Sequence, residues 1–221
     1  SDHLPFPMPE RPHSLDQEWK ILTFMHWEVD PLKLAKFIPE GFDIDLYEGK
    51  AYVGVIPFMM TNVRPRIAFS VPGISTFPEI NIRTYVTRDG KSGVLFLTLE
   101  AQSLITCSYA PRAYGLPYKY SLSKVSASEG EYSWATRRRD GSYELVGECR
   151  WDRQTDYAGS GTLEEFLFER YCLYTVHRGS LCIAYTQHEP WKFGPGSVQI
   201  KSNSLTKEFD LGIDDLSLIH I

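Results

Sequence analysis

Polar and apolar side chains alternate most sharply over residues 77–86, FPEINIRTYV. Successive side chains of a strand point to opposite faces. Phe77, Glu79, Asn81, Arg83 and Tyr85 therefore share one face, and Pro78, Ile80, Ile82, Thr84 and Val86 the other. The second face reads as core. The first sets an acid, an amide and a base in a row, spaced about 7 Å apart, with an aromatic ring at each end. Such a row is either a solvated outer face or the polar lining of a concave pocket.

The same patterns place the other elements. Residues 18–29 are rich in aromatic and apolar residues and read as one strand. Asp30 and Pro31 start a short helix, followed by a short strand over 42–46. Residues 51–62 are apolar on both faces, which marks a central strand. Pro57 inside it predicts a bulge or a last paired position. Residues 94–101 return as the hairpin partner of 77–86, with Leu95, Leu97 and Leu99 on one face. Ser103 caps a helix that Pro111 ends or kinks and Gly115 stops. Strands over 118–127, 131–139 and 142–151 form a meander. Thr162 and Glu165 form a capping box for a helix with Leu163, Phe166, Leu167 and Arg170 on one side. Residues 181–187 and 198–202 read as the last strands.

Short spacings and no alternation of strand and helix predict a mainly β chain with antiparallel pairing and about three short helices. A closed or half-closed barrel or a two-layer β structure is the expected outcome. Residues 1–15, broken by prolines, read as an irregular arm, and 16–215 as one β-rich domain. Residues 216–221, LSLIHI, coincide with one reading frame of a library-preparation adapter. They are expected not to be native.

Composition narrows the function. The chain has 221 residues, 43% hydrophobic, with 23 Lys plus Arg against 28 Asp plus Glu, a net charge of −5. This balance argues against nucleic-acid binding. The one basic run, Arg137-Arg138-Arg139, is expected to cap an exposed hairpin at Asp140-Gly141. Cys107, Cys149, Cys172 and Cys182 form no Cys-x-x-Cys pair. No secretory signal or membrane-length apolar run is visible. A cytoplasmic chain with free thiols is expected, with no metal, cofactor or membrane partner; a homo-oligomer is compatible with it.

Common catalytic signatures are missing. Gly159-Ser160-Gly161-Thr162 lacks a phosphate-loop lysine, and Gly73-Ile74-Ser75-Thr76-Phe77 lacks the second glycine of a nucleophile elbow. The histidines do not cluster in sequence; lone ones such as His26 and His188 usually serve as satisfied core or rim residues. Three stretches remain. They are the 77–86 strand; Tyr114-Gly115-Leu116-Pro117-Tyr118-Lys119; and Glu169-Arg170-Tyr171, placed on a helix, with His188-Glu189-Pro190-Trp191 at a strand end.

Together with AYVGVIPFMMTNVRP, LEEFLFERYCLY and HEPW, these stretches resemble the YqjF-like family of uncharacterised bacterial proteins. The resemblance runs from about residue 19 to 199. That family belongs to the acetoacetate decarboxylase-like superfamily, which implies a β-barrel or double-layer sheet with an internal pocket. It implies no established reaction. The decarboxylases carry an aromatic-Gly-x-Pro-Lys-Lys stretch whose first lysine forms a Schiff base, its pKa lowered by a hydrophobic site and a neighbouring cation. Tyr114-Gly115-Leu116-Pro117 is similar to the start of that motif. Tyr118 then stands at the Schiff-base position and Lys119 at its neighbour. A phenol cannot condense with a ketone, so Schiff-base decarboxylation is not expected. Phe77-Pro78-Glu79 resembles the Tyr-x-Glu context of a pocket glutamate.

Three functions fit. In the first, a pocket binds a small carboxylate or other anionic metabolite, with Glu79 and Lys119 as candidate catalytic groups. Asn81, Arg83, Tyr85, Tyr118, Arg170, His188 and Trp191 are then candidate ligand contacts. Guanidinium suits the clamping of a carboxylate. The second is a carrier or sensor without turnover. The third is a structural or interaction protein in which Glu79 and Arg83 pair only with each other.

Overall fold

The computed structural model describes residues 3–67, 69–71, 74–152 and 154–213, and residues 218–220 as backbone. The first half of the chain runs β1 (Leu15–Lys20), β2 (Phe24–Val29), α1 (Pro31–Leu34), β3 (Asp43–Ile44), β4 (Ala51–Pro65), β5 (Phe77–Arg88), β6 (Lys91–Ala101) and α2 (Leu104–Tyr114). The second half runs β7 (Tyr118–Ser128), β8 (Glu131–Arg138), β9 (Glu144–Trp151), β10 (Asp156–Tyr157), α3 (Leu163–Phe168), β11 (Cys172–His177), β12 (Ser180–Tyr185), β13 (Lys192–Phe193), β14 (Gly196–Asn203) and β15 (Leu218–His220). Short 3-10 turns follow α1 and β14, the second at Thr206–Phe209. Of the terminal hexapeptide, residues 216, 217 and 221 lie outside the described residues. Residues 218–220 pair with β2.

One large sheet runs β14-β9-β8-β7-β6-β5-β4-β2-β15, with β1, β3, β11 and β12 attached to it. β5 sits in its middle, hydrogen-bonded to β4 and β6 along most of its length. Both faces of this centre are covered, as the doubly apolar β4 predicts. Ala51, Val53 and Val55 join Met25, Trp27, Ile80 and Ile82 in one core, which Val125, Trp134 and Leu145 complete from β7, β8 and β9. Tyr52, Ile56, Phe58 and Met60 join Phe24, Phe77, Tyr85, Leu167 and Phe168 in the other. β5 therefore buries both of its faces, and the polar row is not a solvated surface.

Pro57 neither bulges nor ends β4. It pairs with Ile80 of β5, and its carbonyl accepts from the Thr23 amide on the other side. That side is where one neighbour gives way to another: β2 pairs with residues 51–55 and β1 with residues 59–65. The missing proline N–H faces this gap and breaks no ladder. The predicted single strand over 18–29 is accordingly two strands, separated at Ile21, whose φ is 57°.

Other expectations are corrected. The sheet is mixed, and its ladder does not close into a barrel among the described residues. β6 pairs in parallel with β7 at one end and with β11 at the other. A strand and its next neighbour can be parallel only across a long crossover, and α2 provides it between β6 and β7. Ser103 caps α2 by accepting from the Thr106 amide, Pro111 stays inside the helix, and Gly115 ends it at φ 70°. A Cβ on Gly115 would also lie 2.3 Å from the Val176 carbonyl. α3 stops at Phe168, so Glu169-Arg170-Tyr171 leads into β11 and is not helical. Between Ile82 and Arg83 the partner in β6 jumps from Thr98 to Phe96, leaving Leu97 as a bulge. The bulge splits the leucine row. Leu97 packs on the first core and Leu95 on a small third cluster, while Leu99 stands opposite Asn81.

Arg138 is a further correction. It turns inward and bonds both oxygens of the wholly buried Glu100, at 2.7–3.2 Å, as well as Glu208. Burial opposes its charge, but these carboxylates hold its pKa above the usual arginine value. Its run therefore does more than cap a hairpin.

Candidate functional site

The polar row of β5 keeps the predicted order and is almost wholly out of solvent. Glu79 is 1% exposed, Asn81 0%, Arg83 5% and Tyr85 0%. At one end the Tyr118 hydroxyl donates to Glu79 Oε2 at 3.0 Å. The parallel β6–β7 register brings Tyr118 there, opposite Leu99. Phe58 of β4 and Ala101 of β6 stand opposite Glu79. Burial raises the Glu79 pKa to about 8, with Tyr118 and then Asn81 pulling it back only in part. Burial and the Glu79 charge likewise push the Tyr118 phenol well above its usual range. Asn81 lies close enough to favour the ionised carboxyl, yet neither Oδ1 nor Nδ2 makes a well-formed hydrogen bond.

At the other end Arg83 donates from Nε to the Tyr85 hydroxyl at 3.2 Å and from Nη2 to the Leu167 carbonyl at 3.0 Å. Its Cζ lies 5.5 Å from the ring centres of both Phe24 and Tyr85. Among the described residues no carboxylate pairs with it. Glu79 and Arg83, four positions apart, stand about 13 Å apart along the strand and do not neutralise each other. This overturns the reading in which the two serve only one another. Arg170 differs: it is paired with Asp45 at 2.6 Å and donates to the Phe166 carbonyl. Burial lowers its pKa, and Asp45 opposes that shift. It packs over Tyr85, with its Cζ 4.9 Å from the ring centre.

Lys119 does not join the row. It follows Tyr118 on a strand, faces the opposite side and is exposed. His188 and Trp191 form an aromatic flank. His188 stacks on Tyr171 at 4.6 Å, and Trp191 meets Phe24 edge-on at 6.0 Å. The Trp191 ring thus reaches the Arg83 end through Phe24 and is not on the row itself.

Sequence reasoning placed His26 among the satisfied core or rim histidines and gave Gly54 no part in the site. His26 Nε2 and the Tyr85 hydroxyl share a 2.6 Å hydrogen bond, wholly buried beside Arg83. Gly54 pairs with His26 on one side and Arg83 on the other. A Cβ there would lie 2.9 Å from His26 Nε2. A glycine inside an apolar strand signals such a close approach, so the hint was present in the chain. Among the described residues no group of His, Cys, Asp or Glu could hold a metal ion. Among the same residues no helix is long and apolar enough to cross a membrane.

The DUF2071 family model, an uncharacterized conserved protein, matches residues 16–220. The chain belongs to the DUF2071 family. It is 32% identical over 191 residues to the uncharacterized protein YqjF of Bacillus subtilis, covering 86% of this chain and 79% of that one. Among solved structures it resembles acetoacetate decarboxylase from Legionella pneumophila, with a TM-score of 0.65 at 13% identity over 99% of this chain and 88% of that one. The enduracididine biosynthesis enzyme MppR, in complex with the condensation product of pyruvate and imidazole 4-carboxaldehyde, gives a TM-score of 0.68 at 13% identity over 95% of this chain and 85% of that one. At such identities the DUF2071 chain shares a fold with these enzymes, and the likeness extends no further.

Proposed function

We propose that this DUF2071 protein binds a small carboxylate in the polar row of β5, with Arg83 as its anchor. The observation that carries the reading is Arg83 itself, a guanidinium 5% exposed with no carboxylate partner among the described residues. A buried charge is costly unless paired, and a bound anion would supply the pair through bidentate hydrogen bonds. Asn81, with neither polar atom satisfied, sits next along the row as a second contact. Pyruvate is the first probe, because MppR has been seen in complex with it. Schiff-base chemistry is not part of the proposal. Tyr118 stands where the amine would be, and Lys119 faces away.

Thermal denaturation with increasing pyruvate tests this reading. A saturable rise in Tm is expected for the wild-type chain and none for Arg83→Gln. An equal rise in the variant, or no rise in the wild type, would overturn it. A carrier without turnover is the second reading, favoured by Tyr118 in place of a nucleophile. In that case pyruvate would leave the protein chemically and isotopically unchanged.

A further inference from the structure

We propose that the outer edge of β12 pairs with the same edge of a second copy of this chain, antiparallel across a two-fold axis at Ile183.

β12 bonds to β11 on one side and to no other strand. The phase of that ladder fixes which groups face outward. His177 and Ser180 close a two-residue turn in which Arg178 and Gly179 both have positive φ, and the Thr186 amide donates to the Tyr171 carbonyl. Hydrogen-bonded and non-hydrogen-bonded pairs alternate in an antiparallel ladder. Ser180, Cys182 and Ala184 therefore spend their amides and carbonyls on β11. Leu181, Ile183 and Tyr185 direct theirs away from it, and among the described residues these bond to no other backbone. Phe6 of the N-terminal arm packs edge-on against the Tyr185 ring, a side-chain contact that leaves this edge unbonded.

A free edge is normally guarded by charge, proline or a bulge. β1 and β14 are also bonded on one side only, and each is guarded. β1 carries Asp16, Glu18 and Lys20, and β14 carries Lys201 and a register shift between Ile200 and Ser202. β12, SLCIAY, has none of these devices.

Charge selects the occupant and its direction. Exposed Arg178 stands just before β12, and exposed Glu189 follows it. Antiparallel pairing of two copies sets the Arg178 end of one strand beside the end that leads to Glu189 in the other, at both ends of the contact. A two-fold contact is also closed, so pairing stops at two copies.

The outward groups dictate the register. Only outward-facing residues can bond across the axis. Placing Ile183 opposite its counterpart uses all three, because Leu181 then meets Tyr185 on each side. Cys182 falls opposite Ala184 in a non-hydrogen-bonded pair, with Cα atoms about 4.5 Å apart, within disulfide reach.

Analytical ultracentrifugation over a concentration series, with amide hydrogen exchange on the same samples, tests this. The expected result is twice the chain mass at high concentration, with exchange at residues 181, 183 and 185 slowing as the dimer forms. Oxidised Ala184→Cys should give a covalent dimer joined between positions 182 and 184, lost when Cys182→Ser is added. Ala184→Lys, which puts a charge on an exposed position, should give a monomer with an unchanged Tm at low concentration. A single-chain mass at every concentration would leave the edge to an extended peptide of another protein and overturn the proposal. So would a dimer that forms no 182–184 disulfide and leaves those three amides unprotected, because its interface would lie elsewhere.

Discussion

Around Glu79, burial sets the carboxyl pKa at about 8 against an ordinary value of 4.5. Across that window the folded chain keeps a proton that the unfolded chain has released. The contribution to stability is therefore complete below 4.5 and is lost as pH rises toward about 8, at up to about 1.4 kcal/mol per pH unit. Glu79→Gln cannot titrate. Its denaturation midpoint should vary less with pH over this range, and its stability relative to the wild type should improve as pH rises. Urea titrations of both proteins check this; parallel pH profiles would refute the raised pKa. Lys119 supports a second prediction at this scale. It is exposed on the face away from Tyr118 and the row, so acetoacetate followed by borohydride should leave the protein mass unchanged. A stoichiometric adduct on Lys119 would contradict it. That Glu79, Asn81 and Arg83 share one face was legible because alternation on a strand is strict, whereas their burial was not, because a solvated outer face fits the same pattern. Whether Glu79 and Arg83 pair was left open by the sequence, and the contacts of each side chain decided it. The His26–Tyr85 bond was not legible, because it joins strands 59 residues apart.

Among the elements, α2 and β8 separate what local chemistry determines from what needs a partner. Ser103 and Gly115 bound α2 through short-range capping, and both ends were readable. Ser103→Ala should cost about 1 kcal/mol in denaturant unfolding. Arg138 is different, because its partners Glu100 and Glu208 lie 38 and 70 residues away. Replacing it with Met would leave Glu100 buried without its cation, a loss of about 3–5 kcal/mol. A loss below about 1 kcal/mol in the same measurement would mean that the pair behaves as a surface one. The bulge at Leu97 was equally hidden. An extra residue leaves no mark on the apolar pattern until its partner strand is known.

For the molecule as a whole, β4, β5 and β6 are paired on both edges and covered on both faces, whereas β10 and β13 pair only with each other. Hydrogen exchange should therefore be slowest in β5 and its two neighbours and fastest in the β10–β13 ribbon. Early exchange of β5 amides would be inconsistent with its central place.

The chain alone placed most of the long strands, though neither the break at Ile21 nor β11, and it determined where two of the helices are capped and which face of β5 is polar. All of these depend on neighbours within a few residues or on strict alternation. Only the tertiary structure decided that β6 has parallel neighbours, that Arg170 is neutralised by Asp45, and that Arg83 has no carboxylate. These depend on which distant segments meet. The same carboxylates and guanidinium groups could have paired differently without changing any local pattern, and packing alone selects among the pairings.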